Sequence, residues 1–107
     1  MQTNESRDFI DDALDVLSDS NRRGMMYALT EGESDQFSYD ELVDEMVERG
    51  YVDESARETF EVSLSHSHLP KMDEKGVINY DQENGYIERV PNEKVEEIVE
   101  SLEEIEK

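Results

Sequence analysis

Few residues in this chain have types and spacing that could support chemistry, and most of them lie between positions 57 and 75. His66 and His68 are two positions apart, and Arg57, Lys71 and Lys75 flank them. Imidazoles bind metals and transfer protons, whereas arginine and lysine bind phosphates. The segment therefore raises three hypotheses: a metal site, a catalytic site and a surface that binds nucleic acid.

The first two hypotheses have little support. Side chains two positions apart on a helix point about 200° away from each other. The chain contains no Cys and no third His to complete a zinc site. No pair of carboxylates has a spacing that indicates catalysis, and no phosphate loop or nucleophile motif occurs. We expect no enzyme activity, metal or cofactor. We expect a core or cap hydrogen bond for His68 and an exposed donor role for His66.

The third hypothesis requires a helix that enters the major groove and another that braces it. Ser38 and Glu41 form a capping-box pattern, which predicts a bracing helix that ends at Gly50. A second helix is predicted over residues 57–75, with a bend or break at 66–70 caused by Pro70. A projection at about 100° per residue places Val62, Ser65, Leu69 and Met72 on one side of it and Thr59, Ser63, His66 and Ser67 on the other. Phe60 and Leu64 fit neither side.

The remaining patterns complete a mainly α fold with a small antiparallel β-hairpin. Two helices are predicted over residues 9–17 and 22–29, followed by a polar connection at 31–37. Strands at 77–81 and 86–90 are joined by a turn in which Asn84 and Gly85 suit positive backbone angles. The order predicts a winged helix-turn-helix domain over residues 1–91 and a C-terminal acidic amphipathic helix over 92–107.

The charge of the chain bears on its partners. A net charge of −20 normally argues against nucleic acid, but the acid is spread evenly and Lys is scarce, as in proteins of salt-accumulating halophiles. Molar salt screens phosphate repulsion to within about 3 Å. Residues 21–37 and 55–76 carry a net charge of only −1 each. No apolar run is long enough to span a membrane and the start does not resemble a signal peptide, so we expect a cytoplasmic protein.

Candidate contacts with DNA follow from this distribution. We expect phosphate contacts from Arg22, Arg23, Arg57, Lys71 and Lys75. We expect base contacts from Ser63, His66 and Ser67, and Thr59 lies on the same presented side of the helix as a further DNA-binding residue. Asn84 and Arg89 would contact DNA from the hairpin, the wing of such a domain, although neighbouring Asp81 and Glu83 weaken that expectation.

The final helix carries a narrow apolar seam made of Val95, Ile98, Val99, Leu102 and Ile105. The seam can dock back on the domain or pair with the same seam of a second chain. We favour pairing, because a narrow stripe suits a two-helix contact and operator-binding proteins commonly have two-fold symmetry. A homodimer is therefore expected, with the seam as its interface.

Three stretches, LDVLSDSNRRGMMYAL, SYDELVDEM and HSHLPKMDEKGVINYDQENGYI, resemble small haloarchaeal winged-helix proteins of the arsenic-repressor-like type. The similarity extends over residues 13–90, and His66, His68, Leu69, Pro70 and Lys71 match its most specific motif. The resemblance implies a DNA-binding transcription regulator. The effector-binding cysteines of metal-sensing relatives do not occur here.

Two functions from different classes are thus open. The leading hypothesis is a transcription regulator that reads the major groove of double-stranded DNA. The alternative is an acidic winged-helix module that binds a protein partner in transcription and does not bind DNA. An inhibitor that mimics DNA is a more remote third hypothesis, suggested by the charge alone.

Overall fold

A computed structural model describes residues 2–32 and 34–106, with side chains from residue 9 onward. The fold is mostly helical, with a small three-stranded antiparallel sheet. The helices are α1 (Gln2–Leu17), α2 (Ser20–Glu31), α3 (Tyr39–Glu48), α4 (Arg57–Ser63), α5 (Leu69–Glu74) and α6 (Glu93–Glu106), and the strands are β1 (Gln36–Ser38), β2 (Ile78–Asp81) and β3 (Tyr86–Arg89). No helix in this described part of the chain is both long enough and apolar enough to cross a bilayer.

Side-chain caps fix the starts of α2 and α3. The carboxylate of Asp19 accepts hydrogen bonds from the backbone N–H groups of Asn21 and Arg22, so α2 begins two residues earlier than predicted. The Ser38 hydroxyl accepts from the N–H of Glu41, and the Glu41 carboxylate accepts from the N–H of Ser38. The predicted capping box is confirmed, and α3 begins where the sequence indicates.

A wide turn interrupts the helix predicted over residues 57–75. A single π turn, Leu64–His68, separates α4 from α5. Within it, the N–H of Leu69 donates to the carbonyl of Leu64, five residues earlier, and Pro70 follows with no N–H to donate. The predicted break is confirmed, and the wider turn accommodates the proline.

The π turn also decides which side chains face the core. Because it contains one residue more than an α turn, it brings Phe60 and Leu64 onto the same side as Leu69 and Met72, and all four are buried. The projection along a straight helix was wrong about Val62, which it placed on the buried side. Val62 is 59% exposed.

The sheet has the strand order β1-β3-β2. β2 and β3 form the predicted hairpin, with Tyr80 opposite Ile87. On the other side of β3, Phe37 of β1 also lies opposite Ile87. Residues 31–37 were predicted as a polar connection. The strand escapes prediction because three residues with one apolar side chain are too short a run for alternation to indicate a strand.

The hairpin loop differs from the predicted tight turn. Of the described residues that are not glycine, none has a positive φ, so Asn84 does not share the positive angle of Gly85, which is +73°. The loop spans residues 82–85. The Asp81 carboxylate accepts from the backbone N–H of Asn84 at 3.1 Å and from its side-chain amide at 2.8 Å. The predicted four-residue loop is therefore present, and these hydrogen bonds hold Asn84 without the positive φ expected for it.

The final helix packs on the rest of the molecule. Val95 and Val99 are buried in the same hydrophobic cluster as α2 and α3, and α6 contacts both α1 and α2. The final helix therefore shares one core with the helices that precede residue 91, where the sequence analysis divided the chain. Of the other members of the predicted seam, Ile98 and Leu102 are half-buried, and Ile105 is 77% exposed. The buried part of the seam thus packs within the protomer, and pairing of the seam with a second chain stays a prediction.

Candidate nucleic-acid interface

The solvent-facing side of the α4, π-turn and α5 segment is uncharged at its centre. Residues 62–70 contain no Asp, Glu, Lys or Arg, although 37% of the chain is charged. We define the uncharged strip as the exposed and half-exposed residues of this side: Thr59, Val62, Ser63, His66, Ser67 and Pro70. Hydroxyl and imidazole groups on such a surface can donate and accept hydrogen bonds without introducing a carboxylate. The predicted base-contacting residues are therefore brought together here.

Tyr39, the first residue of α3, holds the presented segment in place. Its hydroxyl donates to the carbonyl of Glu61 in α4 at 2.7 Å, and its backbone N–H donates to the carbonyl of Gly85 in the hairpin loop at 2.8 Å. Burial raises the pKa of the Tyr39 hydroxyl from its ordinary value of 10.0, further from neutral pH. The sequence analysis missed this role, because no local pattern reveals a contact between residues 22 positions apart.

The cations beside the strip are already paired with carboxylates. Arg57 lies 2.9 Å from Asp44 of α3 and 3.2 Å from Glu54. Hydrogen bonds to Glu54 and then to Asp44 raise the pKa of the Arg57 guanidinium. A phosphate would have to replace these carboxylates in order to bind Arg57.

Two lysines at the other end of the segment are paired with α1. Lys71 lies 3.2 Å from Asp15, and Lys75 lies 3.2 Å from Asp12 and 3.6 Å from Asp15. The hydrogen bond from Lys71 is the main cause that lowers the pKa of the Asp15 carboxyl, and the hydrogen bond that Lys75 donates to Asp12 is the main cause that raises the pKa of Lys75. These ion pairs are half-exposed, so water screens them in part and an incoming anion can replace the carboxylate at little cost.

Arg22 is buried, contrary to the expectation that it contacts phosphate. It is only 8% exposed. Its Nε donates to the carbonyl of Val16 at 2.8 Å, and its Nη2 donates to the carbonyl of Asp15 at 3.3 Å. The guanidinium thus satisfies backbone carbonyls at the end of α1. Charge counted along the sequence cannot detect this role, because it depends on how α1 packs against α2.

His68 is the third partner of Arg22. Arg22 Nη1 lies 3.3 Å from His68 Nδ1, and because a guanidinium only donates, Nδ1 must be the unprotonated nitrogen of the ring. Burial lowers the pKa of His68, and nearby Arg22 adds to that effect while Asp19 opposes it. The predicted core hydrogen bond of His68 is confirmed. His66 is exposed on the uncharged strip. Within the described residues, no group of His and carboxylate side chains could hold a metal ion.

Arg23 and Arg89 hold α6 to the domain. Arg23 donates to Glu106 at 2.6 Å and to the carbonyl of Leu17 at 2.8 Å. Arg89 lies 2.9 Å from Asp35, and its Nη1 lies 3.0 Å from Glu96 in an ion pair without hydrogen-bonding geometry. Neither guanidinium is brought to the uncharged strip.

Asn84 lies exposed on the hairpin loop, as a contact with a nucleic acid backbone would require. Its side-chain amide nitrogen is held by Asp81, however, and the Asp81 carboxylate is itself exposed. Hydrogen bonds from Asn84 lower the pKa of the Asp81 carboxyl, so the tip of the hairpin is negatively charged at neutral pH. A phosphate would approach Asn84 against this charge.

The described geometry defines a mostly helical domain with a small antiparallel sheet and one uncharged surface among carboxylates. Residues 14–88 match the family model described as Domain of unknown function (DUF7344). Because this match covers more than half of the chain, the protein belongs to that family. The match includes the uncharged strip and the whole sheet except Arg89, and it excludes α6. No curated protein and no solved structure matches the chain.

Proposed function

We propose that the protein is a winged helix-turn-helix transcription regulator that binds double-stranded DNA in the salt-rich cytoplasm of a halophile. The order of elements from α2 to β3 supports this fold. The order is a helix, a strand, the helix α3, the interrupted helical segment from α4 to α5, and a hairpin, with the first strand paired beside the last. Counting the interrupted segment as one helix, this is the arrangement of winged-helix domains. In this arrangement α3 braces the segment from α4 to α5, which enters the major groove.

The observation that carries the proposal is the uncharged strip. In a chain with 30 acidic residues, the nine consecutive uncharged positions 62–70 supply five of the six residues of the strip, on the exposed side of the helical segment that this fold presents to DNA. Carboxylates at those positions would repel phosphates and the many acceptor groups of base edges. Ser63, His66 and Ser67 are the residues we assign to base contacts, and Thr59 approaches DNA beside them.

Phosphate contacts come from cations at the two ends of the strip. Arg57 lies at one end, and Lys71 and Lys75 at the other. Each is held by an exposed carboxylate, and each contact with DNA exchanges that carboxylate for a phosphate oxygen. Asn84 remains the contact assigned to the hairpin. We do not assign Arg22 to DNA because it is buried, and we do not assign Arg23 or Arg89 because neither guanidinium is brought to the strip.

High salt is part of the proposed mechanism. A protein of net charge −20 is repelled by DNA at low ionic strength. At 1 M salt the Debye length is about 3 Å, so charges outside direct contact no longer oppose binding. Few counterions are released on binding, because the cations at the strip already have anionic partners.

Fluorescence anisotropy with labelled DNA from upstream of the protein's own gene, in about 2 M KCl where screening is strong, tests the proposal. We expect saturable, sequence-dependent binding. Ser67→Glu adds a carboxylate to the strip and should weaken binding about tenfold or more. Ser101→Glu makes the same change on exposed α6 and should leave binding unaltered. Absence of saturable binding by the unmodified protein, or equal effects of the two variants, would contradict DNA binding through the strip.

A salt titration gives a second signature. Most DNA-binding proteins lose affinity steeply as salt rises, because they release counterions. Here we expect the affinity to rise between about 0.2 and 2 M KCl, because screening removes repulsion. A steep fall over the same range would show that binding depends on unpaired cations, which is incompatible with the proposed mechanism.

A second candidate function is a winged-helix module that binds a protein partner. The observation in its favour is that the cations beside the strip are paired, while Val62 and Pro70 offer an exposed apolar surface. The double variant Arg57→Ala, Lys71→Ala separates the two functions. DNA binding predicts a loss of affinity that is similar for all DNA sequences. A protein complex through the apolar part of the strip would be retained.

A further inference from the structure

Arg22 and His68 form a buried contact between α2 and the segment that carries the uncharged strip. Their side chains belong to residues that are 8% and 7% exposed, and Arg22 Nη1 lies 3.3 Å from His68 Nδ1. Arg22 is also bound to the carbonyls of Asp15 and Val16 at the end of α1. His68 is the last residue of the π turn. The contact therefore fixes the turn to a guanidinium that the backbone of α1 holds in place.

The π turn determines how the strip is displayed. Ser63 directly precedes the turn, and His66 and Ser67 lie within it. Each residue of an α-helix advances about 100° around the axis, so a change from the π to the α pattern rotates the residues before the turn relative to those after it by about that angle. Residues assigned to base contacts would then lie at a new angle to Lys71 and Lys75, which follow the turn.

Side chains of other helices contact this segment on both sides of the π turn. Before the turn, the carbonyl of Glu61 accepts from the hydroxyl of Tyr39 at 2.7 Å. At the end of the turn, His68 accepts from Arg22. A tyrosine hydroxyl keeps its proton throughout the range of about pH 5 to 8, whereas an imidazole can gain one there. Acid can therefore break the second contact and leave the first intact.

The charged groups around His68 oppose a second positive charge. Arg22 of α2 faces the ring directly, and Asp19, which precedes α2, already accepts two backbone N–H groups of that helix. The carboxylate of Asp15 in α1 is paired with both lysines at the end of the presented segment. Burial lowers the pKa of the His68 imidazole, Asp19 opposes that effect and Arg22 adds to it. A protonated His68 thus meets a cation, while the nearby carboxylates already have partners.

We propose that Arg22 and His68 are positioning residues for the uncharged strip, which hold the π turn while His68 is neutral and release it when His68 takes up a proton. On protonation Nδ1 becomes a donor and can no longer accept from Arg22. The imidazolium moves away, because the guanidinium remains bound to the α1 carbonyls. Acid then weakens DNA binding, and this consequence alone rests on the proposed function.

The two histidines of the segment have opposite expected effects on DNA affinity. His66 is exposed on the strip, so its protonation adds positive charge and favours a polyanion. Protonation of His68 releases the strip and disfavours DNA. When one group must lose its proton for binding, the affinity falls by at most about tenfold for each pH unit below the pKa of that group in the free protein. His66→Gln therefore isolates the effect of His68.

Fluorescence anisotropy in about 2 M KCl, from about pH 7.5 to about pH 5, measures the effect on DNA. In the His66→Gln protein we expect the affinity to fall by up to about tenfold per pH unit below the folded pKa of His68. His68→Gln in the same background should bind equally at every pH, because an amide oxygen accepts from Arg22 and takes up no proton. His68→Phe keeps a ring without the acceptor and should bind weakly at every pH.

Hydrogen exchange measured by NMR tests the positioning without DNA. The N–H of Leu69 closes the π turn on the carbonyl of Leu64, and the N–H of Lys75 donates to the carbonyl of Lys71 outside it. In the His66→Gln protein, the protection factor of Leu69 should fall with the same midpoint as the titration of the His68 ring signal. The protection factor of Lys75 should stay constant, and so should the far-UV circular dichroism.

The inference is overturned if the protection of Leu69 does not follow the titration of His68, if it falls only together with global unfolding, or if the DNA affinity of His66→Gln is independent of pH. Failures of the two proposals are distinguishable. A π turn that responds to His68 in a protein that binds no DNA contradicts only the proposed function. DNA binding that does not change with pH contradicts only the positioning by Arg22 and His68.

Discussion

A buried contact between two basic residues links the N-terminal half of the fold to the presented helical segment. Arg22 of α2 donates to His68 at the end of the π turn, 46 positions later in the chain. Asp19 faces the same pair, and the Phe60 ring lies 6.3 Å from the imidazole. Since Arg22 is always charged, the contact requires a neutral His68. Protonation would place two cations together in a poorly hydrated site.

We therefore predict that the protein loses stability as the pH falls below about 6.5. The folded pKa of His68 lies below its ordinary value of 6.5, so between the two values the unfolded chain binds more protons. The free energy of unfolding falls through that window and stops falling below the folded pKa. Urea unfolding at a series of pH values measures this change in the free energy of unfolding. His68→Gln should remove the dependence on pH, whereas His66→Gln should retain it.

The carboxyl groups of this region affect stability in a separate, more acidic pH range, which serves as a comparison. The pKa values of Asp15 and Asp19 are lowered from 3.8, so their contribution to stability is lost only at more acidic pH. If the free energy of unfolding of His68→Gln still falls with pH near pH 6, the assignment of this pH dependence to His68 is contradicted.

At the scale of elements, the packing of α2 against the turn after α3 depends on a glycine. Gly24 is buried in the middle of α2, where glycine is ordinarily unfavourable. A Cβ at this position would lie 2.8 Å from Cγ of Tyr51. The missing side chain lets the Tyr51 ring lie against the helix backbone, with its centroid 6.3 Å from that of Tyr27.

Helix propensity and core packing predict opposite effects of Gly24→Ala on the free energy of unfolding. Helix propensity alone predicts a gain of up to about 1 kcal/mol. We predict instead a loss of about 1–2 kcal/mol in the free energy of unfolding, because the added methyl group clashes with the ring. In a Tyr51→Ala background the same change should become stabilising. Urea unfolding of the four proteins measures this coupling, and additive effects would contradict the close approach.

At the scale of the whole molecule, α6 is part of the single core that it helps to close. Val95 and Val99 are buried with residues of α2 and α3, and Glu106 accepts hydrogen bonds from Arg23 and from the buried Tyr27. Because α6 belongs to the core, we expect it to unfold together with the rest of the domain.

Val99→Ala should lower the global free energy of unfolding by about 2 kcal/mol, because it removes buried apolar volume from that core. Ile105→Ala removes a larger side chain from an exposed site on the same helix and should cost less than about 0.5 kcal/mol. Urea unfolding followed both by far-UV circular dichroism and by tyrosine fluorescence measures both effects. Separate transitions for the two probes would show instead that α6 unfolds independently.

The sequence by itself determined the features that depend on near neighbours along the chain. The capping box at Ser38 and Glu41, the break before Pro70, the two hairpin strands and the acidic character all follow from short-range chemistry. The spacing of residues a few positions apart decides these features, and that spacing is visible in the amino-acid sequence.

Only the tertiary structure decided where the side chains of these elements lie. In the folded protein Arg22 is buried, and the buried part of the α6 seam faces α2. Val62 is exposed, because the extra residue of the π turn shifts the side chains relative to the positions of a straight α-helix. The tertiary structure also paired β1 with β3 and left Ile10 and Leu14 exposed. Each outcome depends on contacts between residues far apart in sequence, and the hydrophobic stabilisation they share is set by the combined packing of all the elements.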